Sequence, residues 1–223
     1  MPAPTIVFDL DGTLVDTAPD LIDTLNVILT RHGVAPVAFA QARTMIGAGV
    51  KPLLQRGLAS KGVTLPPDEI DRLFAEYLDV YAAHIADRSR PFPGAEAALD
   101  ALAAQGCRLA ICTNKLEWLS VKLLKELALA SRFAAICGQD TFTMRKPDPD
   151  MLRLTIARAG GDTGHAVMVG DSMTDVATAR AATIPVVAVD FGYTPVPVTD
   201  LGPDRVISSF DALWDAVESV RRR

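Results

Sequence analysis

"TIVFDLDGTLVDT", residues 5–17, sets an apolar, β-branched run directly against two aspartates, a glycine and a threonine. A run of this kind reads as a short strand. Side chains at i and i+2 of an extended chain point to the same side, so Asp9 and Asp11 converge where the strand ends. Asp-Gly by itself is common at turns. DxDGT placed directly behind Ile6-Val7-Phe8 is far more restrictive. The carboxyl end of a parallel strand is also where open α/β sheets bind their ligands.

Working outward, similar strand-like runs occupy residues 108–112, 134–137, 166–169, 185–190 and 205–207. They are near-continuously apolar, as strands buried on both faces are. Helix-length patterns at 117–129, 150–159, 173–182 and 210–221 lie among them. This alternation predicts an α/β fold, a doubly wound parallel sheet of Rossmann-like type. One region breaks the rhythm. From Asp16 to about Arg88 only helical spacing is found, as in Leu21, Leu25, Ile28 and Leu29, or Leu73, Tyr77 and Tyr81. The expected division is a catalytic core of residues 1–15 and 90–223 with a helical cap at 16–89. Hinges are expected near residues 14–16 and 90–93.

Composition sets bounds. The 223 residues are 49% hydrophobic and 22% charged, with net charge -5 and pI near 5.2. An acidic chain of this kind argues against nucleic acid or an anionic membrane as a partner. The closing Arg221-Arg222-Arg223 reads as a solvated tail. Cys107, Cys112 and Cys137 are odd in number, form no CxxC pair and sit beside apolar residues, which suits buried thiols in a reducing compartment. With no leader-like opening and no long apolar run, a cytoplasmic protein is expected, as a monomer or homodimer.

A second acidic pair, Asp171 and Asp175, lies in "VMVGDSMTD". If a helix begins near Ser172, the two share a face. Two strand ends each carrying two carboxylates would repel unless a cation sat among them, and oxygen ligands beside phosphate chemistry suit Mg²⁺. Thr113-Asn114 closes the strand of "LAICTNK". Lys146 precedes Pro147 in "RKPDPDM", where Asp148 is a candidate N-cap and Pro149 the first helical residue. Its stiffened loop would set a cation opposite the acidic cluster, as a phosphate clamp requires. Lys115 and Arg145 are assigned to solvent.

These stretches together resemble the haloacid dehalogenase superfamily of aspartate-nucleophile phosphotransferases. The match lies in "DLDGT", "TN", "KPDP" and "GDSMTD", in the family's order, and the 16–89 segment looks like its helical cap. Within it, "FDLDGTLVDTAPDL", "GQDTFTMRKPDPDML" and "FGYT" look most like phosphoglycolate phosphatases. The resemblance implies that Asp9 is the nucleophile and forms an aspartyl phosphate, while Asp11 moves the protons. It implies that Asp9, the Asp11 carbonyl and Asp171 hold Mg²⁺, with Asp175 supporting the metal site. Thr13, Thr113, Asn114 and Lys146 would bind the phosphate of a small phosphorylated metabolite, 2-phosphoglycolate foremost. The cap turn "MIGAGVKPLL" would present specificity residues, with Lys51 the candidate for a substrate carboxylate.

Alternatives stand beside this reading. Another small phosphate ester or pyrophosphate would fit the same chemistry. A sugar phosphomutase of the superfamily would place a histidine where Leu21 stands, and a dehalogenase would not need Asp11. From a different class, a phosphorylatable signalling or phosphate-binding module combines similar groups but lacks a cap. Thr183 stands where the family often has glycine, so that helix is expected to end without a left-handed residue. His32, His84 and His165 are expected at surfaces or helix ends.

Overall fold

The computed structural model describes residues 4–221, so Arg222 and Arg223 of the expected tail lie outside the described residues. Its central sheet holds β1 (Thr5–Phe8), β4 (Arg108–Cys112), β5 (Ala135–Cys137), β6 (Ala166–Gly170), β7 (Val186–Val189) and β8 (Arg205–Ile207). Their order is β5-β4-β1-β6-β7-β8, with every neighbouring pair parallel. The chain steps outward from β1 to β5 and then returns to the other side of β1. The strand order therefore reverses beside β1, where such sheets open a crevice.

The period of two decides which residue faces which layer. Ile6 and Phe8 join one apolar cluster and Val7 the other. The first cluster takes in α5 (Ala95–Ala104), α6 (Glu117–Glu126) and α9 (Leu213–Arg221) through Leu99, Leu123 and Val217. The second takes in α7 (Pro149–Arg158) and α8 (Met173–Ala182) through Met151, Ile156 and Val176. Phe8 is wholly buried, and burying such a side chain contributes about 1.5–3 kcal/mol. Helices thus cover both faces of a parallel sheet, as its apolar strands require. The last helical stretch begins as a 3₁₀ turn at Phe210–Ala212 before α9.

The insert contains α1 (Ala18–Arg31), α2 (Phe39–Arg43), α3 (Val50–Ala59) and α4 (Pro67–Ala83). Their apolar faces, including Leu25, Leu54 and Tyr77, continue the first core cluster. Tyr77 also donates its hydroxyl to the Leu21 carbonyl at 2.8 Å. The chain enters and leaves the cap through a two-stranded ribbon, β2 (Val15–Asp16) antiparallel to β3 (Arg90–Pro91). Where the sequence suggests two hinges, the backbone pairs them. Beside the ribbon, buried Asp20 accepts hydrogen bonds from the Arg88 and Ser89 amides and from the Ser89 hydroxyl.

Two expectations are corrected or met at helix ends. Thr183 does cap α8 in the left-handed region, at φ 61 and ψ 39. Such a residue costs on the order of 1–3 kcal/mol, offset here by Ile184, which the turn drops into the second core cluster. His32 and His84 follow α1 and α4 directly, and His165 closes a 3₁₀ turn, all three at helix ends as expected. The three cysteines are buried and free.

Candidate active site

β1 delivers Asp9 to the crevice, its amide bonded to the Val169 carbonyl at 2.9 Å. The turn that follows requires Gly12. Its φ is +85, and a Cβ there would meet the Asp171 carboxylate and the Tyr193 ring, both at 2.7 Å. Asp171 follows β6, and Asp175 stands in the first turn of α8. Asp9, Asp171 and Asp175 are all buried, and one ligand oxygen from each lies within 4.8 Å of the others.

Each carboxylate is held from outside the cluster. Asp171 accepts the Thr13 hydroxyl at 2.8 Å and the Tyr193 amide at 2.7 Å. Asp175 accepts the Ser172 hydroxyl at 2.6 Å and Lys146 Nζ at 2.6 Å. Lys146 also stands 3.0 Å from Asp9 Oδ1, which nevertheless has no hydrogen-bond donor aimed at it. Lys146 is carried by the loop after β5. There Asp148 caps α7 by accepting the Asp150 amide, and Pro149 opens the helix. Asn114 donates to the Lys146 carbonyl at 3.2 Å, tying that loop to the end of β4.

The charges are unbalanced, three buried carboxylates against one ammonium. Burial, opposed by Lys146 and reinforced by Asp175 and Asp11, raises Asp9 from 3.8 to about 6. Burial, with Asp175 and Asp9 beside it, raises Asp171 to about 8. Burial works against the Lys146 ammonium, yet Asp175 and Asp9 hold its pKa well above the usual value. A cation among the three acids would remove the excess negative charge, and Asp9 Oδ1, paired with Lys146 but outside hydrogen-bond geometry, offers it a ligand. The donor set fits a hard divalent ion.

Above the acids lies a narrow cleft between the core and the cap. Its core wall is Asp9, Asp11, Thr113, Asn114 and Lys115, and its cap wall is Leu21, Ile46, Gly47, Gly49, Val50 and Leu53. The expected turn therefore does face the site, but Lys51 does not. Its ammonium pairs with Asp71 at 2.6 Å and sits over the Phe74 ring, because one helical step turns it away from the cleft that Val50 lines. Thr13 lies beneath the site rather than in the wall, its hydroxyl committed to Asp171. Arg145 is exposed, as expected.

Lys115 is the residue that the sequence reading misassigned. It is only 5% exposed. Its ammonium reaches Asp11 Oδ1 at 3.1 Å and the Tyr81 hydroxyl of α4 at 2.7 Å. The signal available was its position, one residue beyond Thr113-Asn114 at the same strand end. Tyr193 was also passed over as a site residue. Besides its amide on Asp171, its hydroxyl donates to Asp16 at 2.6 Å and accepts the Ala18 amide at 2.9 Å. It thus links a carboxylate of the cluster to the first crossing into the cap.

Residues 6–189 match the haloacid dehalogenase-like hydrolase family. The chain belongs to that family. It is 51% identical to a phosphoglycolate phosphatase of Mesorhizobium japonicum, over 96% of this chain and 94% of that protein. It is 48% identical to one from Caulobacter vibrioides, over 92% and 87%. Among solved structures it is similar to a predicted phosphoglycolate phosphatase from Haemophilus somnus, with a TM-score of 0.90 and 28% identity over 96% of this chain and 98% of that one. The chain is accordingly an enzyme, a phosphoric monoester hydrolase of the haloacid dehalogenase-like family. Its fold, a parallel sheet with an inserted helical cap, is that of its relatives. Among the described residues no helix is long and apolar enough to cross a membrane.

Proposed function

We propose that the enzyme hydrolyses 2-phosphoglycolate to glycolate and inorganic phosphate through an aspartyl phosphate on Asp9, with Mg²⁺ as cofactor, in the cytoplasm. The observation that carries this reading is the pairing of Asp9 and Asp11 on one wall of a single small cleft, with Lys146 behind Asp9. The phosphoglycolate phosphatases that the chain resembles support the choice of substrate.

In the first step an Asp9 oxygen attacks phosphorus, forming the O–P bond as the bond to the ester oxygen breaks. Asp11, protonated at that stage, gives its proton to the departing glycolate oxygen. Water then enters in line, Asp11 takes its proton, and the bond from phosphorus to Asp9 breaks. Asp9, the Asp11 carbonyl and Asp171 would hold Mg²⁺, with Asp175 behind them. Bound there, the ion supplies positive charge against the phosphoryl oxygens. Lys146 steadies Asp9 and Asp175, and Thr113 and Asn114 meet the phosphoryl group. Leu21 fills the cap position where a phosphomutase needs a proton carrier, which favours hydrolysis.

The test is phosphate release from 2-phosphoglycolate beside a panel of small esters and pyrophosphate, with and without Mg²⁺, with Asp9→Asn as control. Mg²⁺-dependent turnover that prefers 2-phosphoglycolate supports the proposal. Preference for another compound keeps the mechanism and removes the substrate. A long-lived aspartyl phosphate without turnover would instead support a signalling module.

A further inference from the structure

We infer that Lys115 reads the carboxylate of the substrate, making it the residue that selects phosphate esters of 2-hydroxy acids. This inference rests on the proposed reaction and adds to it the group that recognises the acid end of the molecule.

Three features carry it. First, among the described residues Lys115 is the one cation in the lining of the cleft, and the cap wall opposite is apolar or glycine. An anion entering this space finds no other ammonium or guanidinium in that described lining, whose remaining charged groups are the carboxylates of Asp9 and Asp11. On the cap, Lys51 is paired with Asp71, while Arg56, bonded through one N–H to the Met45 carbonyl, lines the adjoining cleft on the Asp171 side rather than this one. Lys146 lies behind Asp9, outside the lining.

Second, the ammonium stands where the chemistry requires a carboxylate reader. Asp11 must meet the ester oxygen to protonate it. In an ester of a 2-hydroxy acid the carboxylate carbon is two bonds from that oxygen. The acid group therefore arrives beside Asp11, and Lys115 Nζ lies 3.1 Å from Asp11 Oδ1.

Third, one of its donors is poorly used. An ammonium has three N–H groups. Asp11 Oδ1 and the Tyr81 hydroxyl, at 2.7 Å, take two well. The remaining contact, to Asp11 Oδ2, is 3.4 Å long, weak enough to give way to a substrate oxygen. The Lys115 stem is buried and its ammonium lies 4.5 Å from the centre of the Tyr81 ring, so the charge is delivered to one place rather than sweeping a surface.

The experiment compares kcat/KM for 2-phosphoglycolate with that for ethyl phosphate, in which a methyl group replaces the carboxylate. It is run on the unaltered enzyme, Lys115→Met and Lys115→Arg. A buried charge-assisted contact predicts that the ratio drops roughly 10- to 100-fold in Lys115→Met, mainly through KM, with partial recovery in Lys115→Arg. Glycolate should also weaken as an inhibitor relative to inorganic phosphate. A Lys115→Met enzyme that loses the same factor on both esters overturns the inference, since Lys115 would then serve Asp11 alone, and the proposed substrate would stand. An unaltered enzyme with no preference for 2-phosphoglycolate overturns both. The carboxylate methyl ester of 2-phosphoglycolate, tested on the unaltered enzyme, needs no variant. It must show the same loss, and full turnover of that ester overturns the inference.

Discussion

On the core wall of the cleft, Asp9, Thr113, Asn114 and Lys115 are each less than a tenth exposed, and the neighbouring charges are fixed by named partners. On the cap wall, Leu21, Ile46, Val50 and Leu53 contribute shape without charge, around the glycines of one turn. The core wall can hold charge in place because three strand ends and a helix start converge on it from different parts of the chain. The cap wall is local helix-and-turn structure, closed over the site by few polar contacts. Arg43 is one of these, donating to the Phe191 carbonyl at 2.9 Å and lying 4.9 Å from the centre of the Tyr193 ring. Under the proposed reaction, the difference assigns bond-breaking and the reading of charge to the sheet, and shape to the helices.

The sharpest way to break that assignment is Asp9→Asn, which removes the proposed nucleophile while keeping its size. Turnover of every substrate should fall on the order of 10⁴-fold or more, measured as steady-state phosphate release. Comparable residual activity would place the chemistry elsewhere. Next comes Lys146→Met, which leaves Asp9 and Asp175 without their cation. Removing one partner of a buried ion pair costs roughly 3–5 kcal/mol, so urea unfolding near neutral pH should shift accordingly, and activity should be lost with it.

The raised carboxylates give a third test. Asp9 and Asp171 rise from 3.8 to about 6 and about 8. Between 3.8 and those values the folded chain holds protons that the unfolded chain has released. Stability of the metal-free protein therefore falls as pH rises through that window, the reverse of the usual salt-bridged aspartate. Chelator-treated samples should melt lower near pH 8 than near pH 5, from this source, and Mg²⁺ should restore more stability at the higher pH.

On the cap side the effects should be smaller. Gly49 has φ +92, and a Cβ would come 3.3 Å from the Asn114 carbonyl. Gly49→Ala should cost about 1–3 kcal/mol and alter KM among substrates more than it alters kcat. Smallest of all, Tyr193→Phe keeps the amide on Asp171 but removes the hydroxyl bonds to Asp16 and the Ala18 amide. The expected loss is about 1 kcal/mol of stability, read from thermal melts.

The same contrast explains what was legible in the sequence. Asp9, Asp171, Thr113 and Lys146 each follow a strand or precede a helix whose own pattern is strong, so local spacing was enough to bring them to one edge. Lys115 was not legible, because its burial depends on Tyr81, a residue of the distant helix α4. Lys51 was misplaced because its direction depends on the rotation of α3 about its axis, which a paired-glycine turn does not disclose. Thr13 was recognised as belonging to the site but not as the support of Asp171, a partner far along the chain. Thr183 took the left-handed cap because the core demand on Ile184 outweighed the local strain.

The β2–β3 ribbon has a consequence for how the chain assembles. The first strand must pair with β4, more than a hundred positions away, as in Thr5 with Arg108. When Val15 meets Pro91, the whole helical excursion is short-circuited, and the span left to close is about a quarter as long. At about 0.6 kcal/mol per halving of loop length, the entropy of forming the central pair falls by about 1 kcal/mol. An insertion that seems to separate β1 from its neighbour thus acts, once its ends are clasped, as a splint that brings the two together.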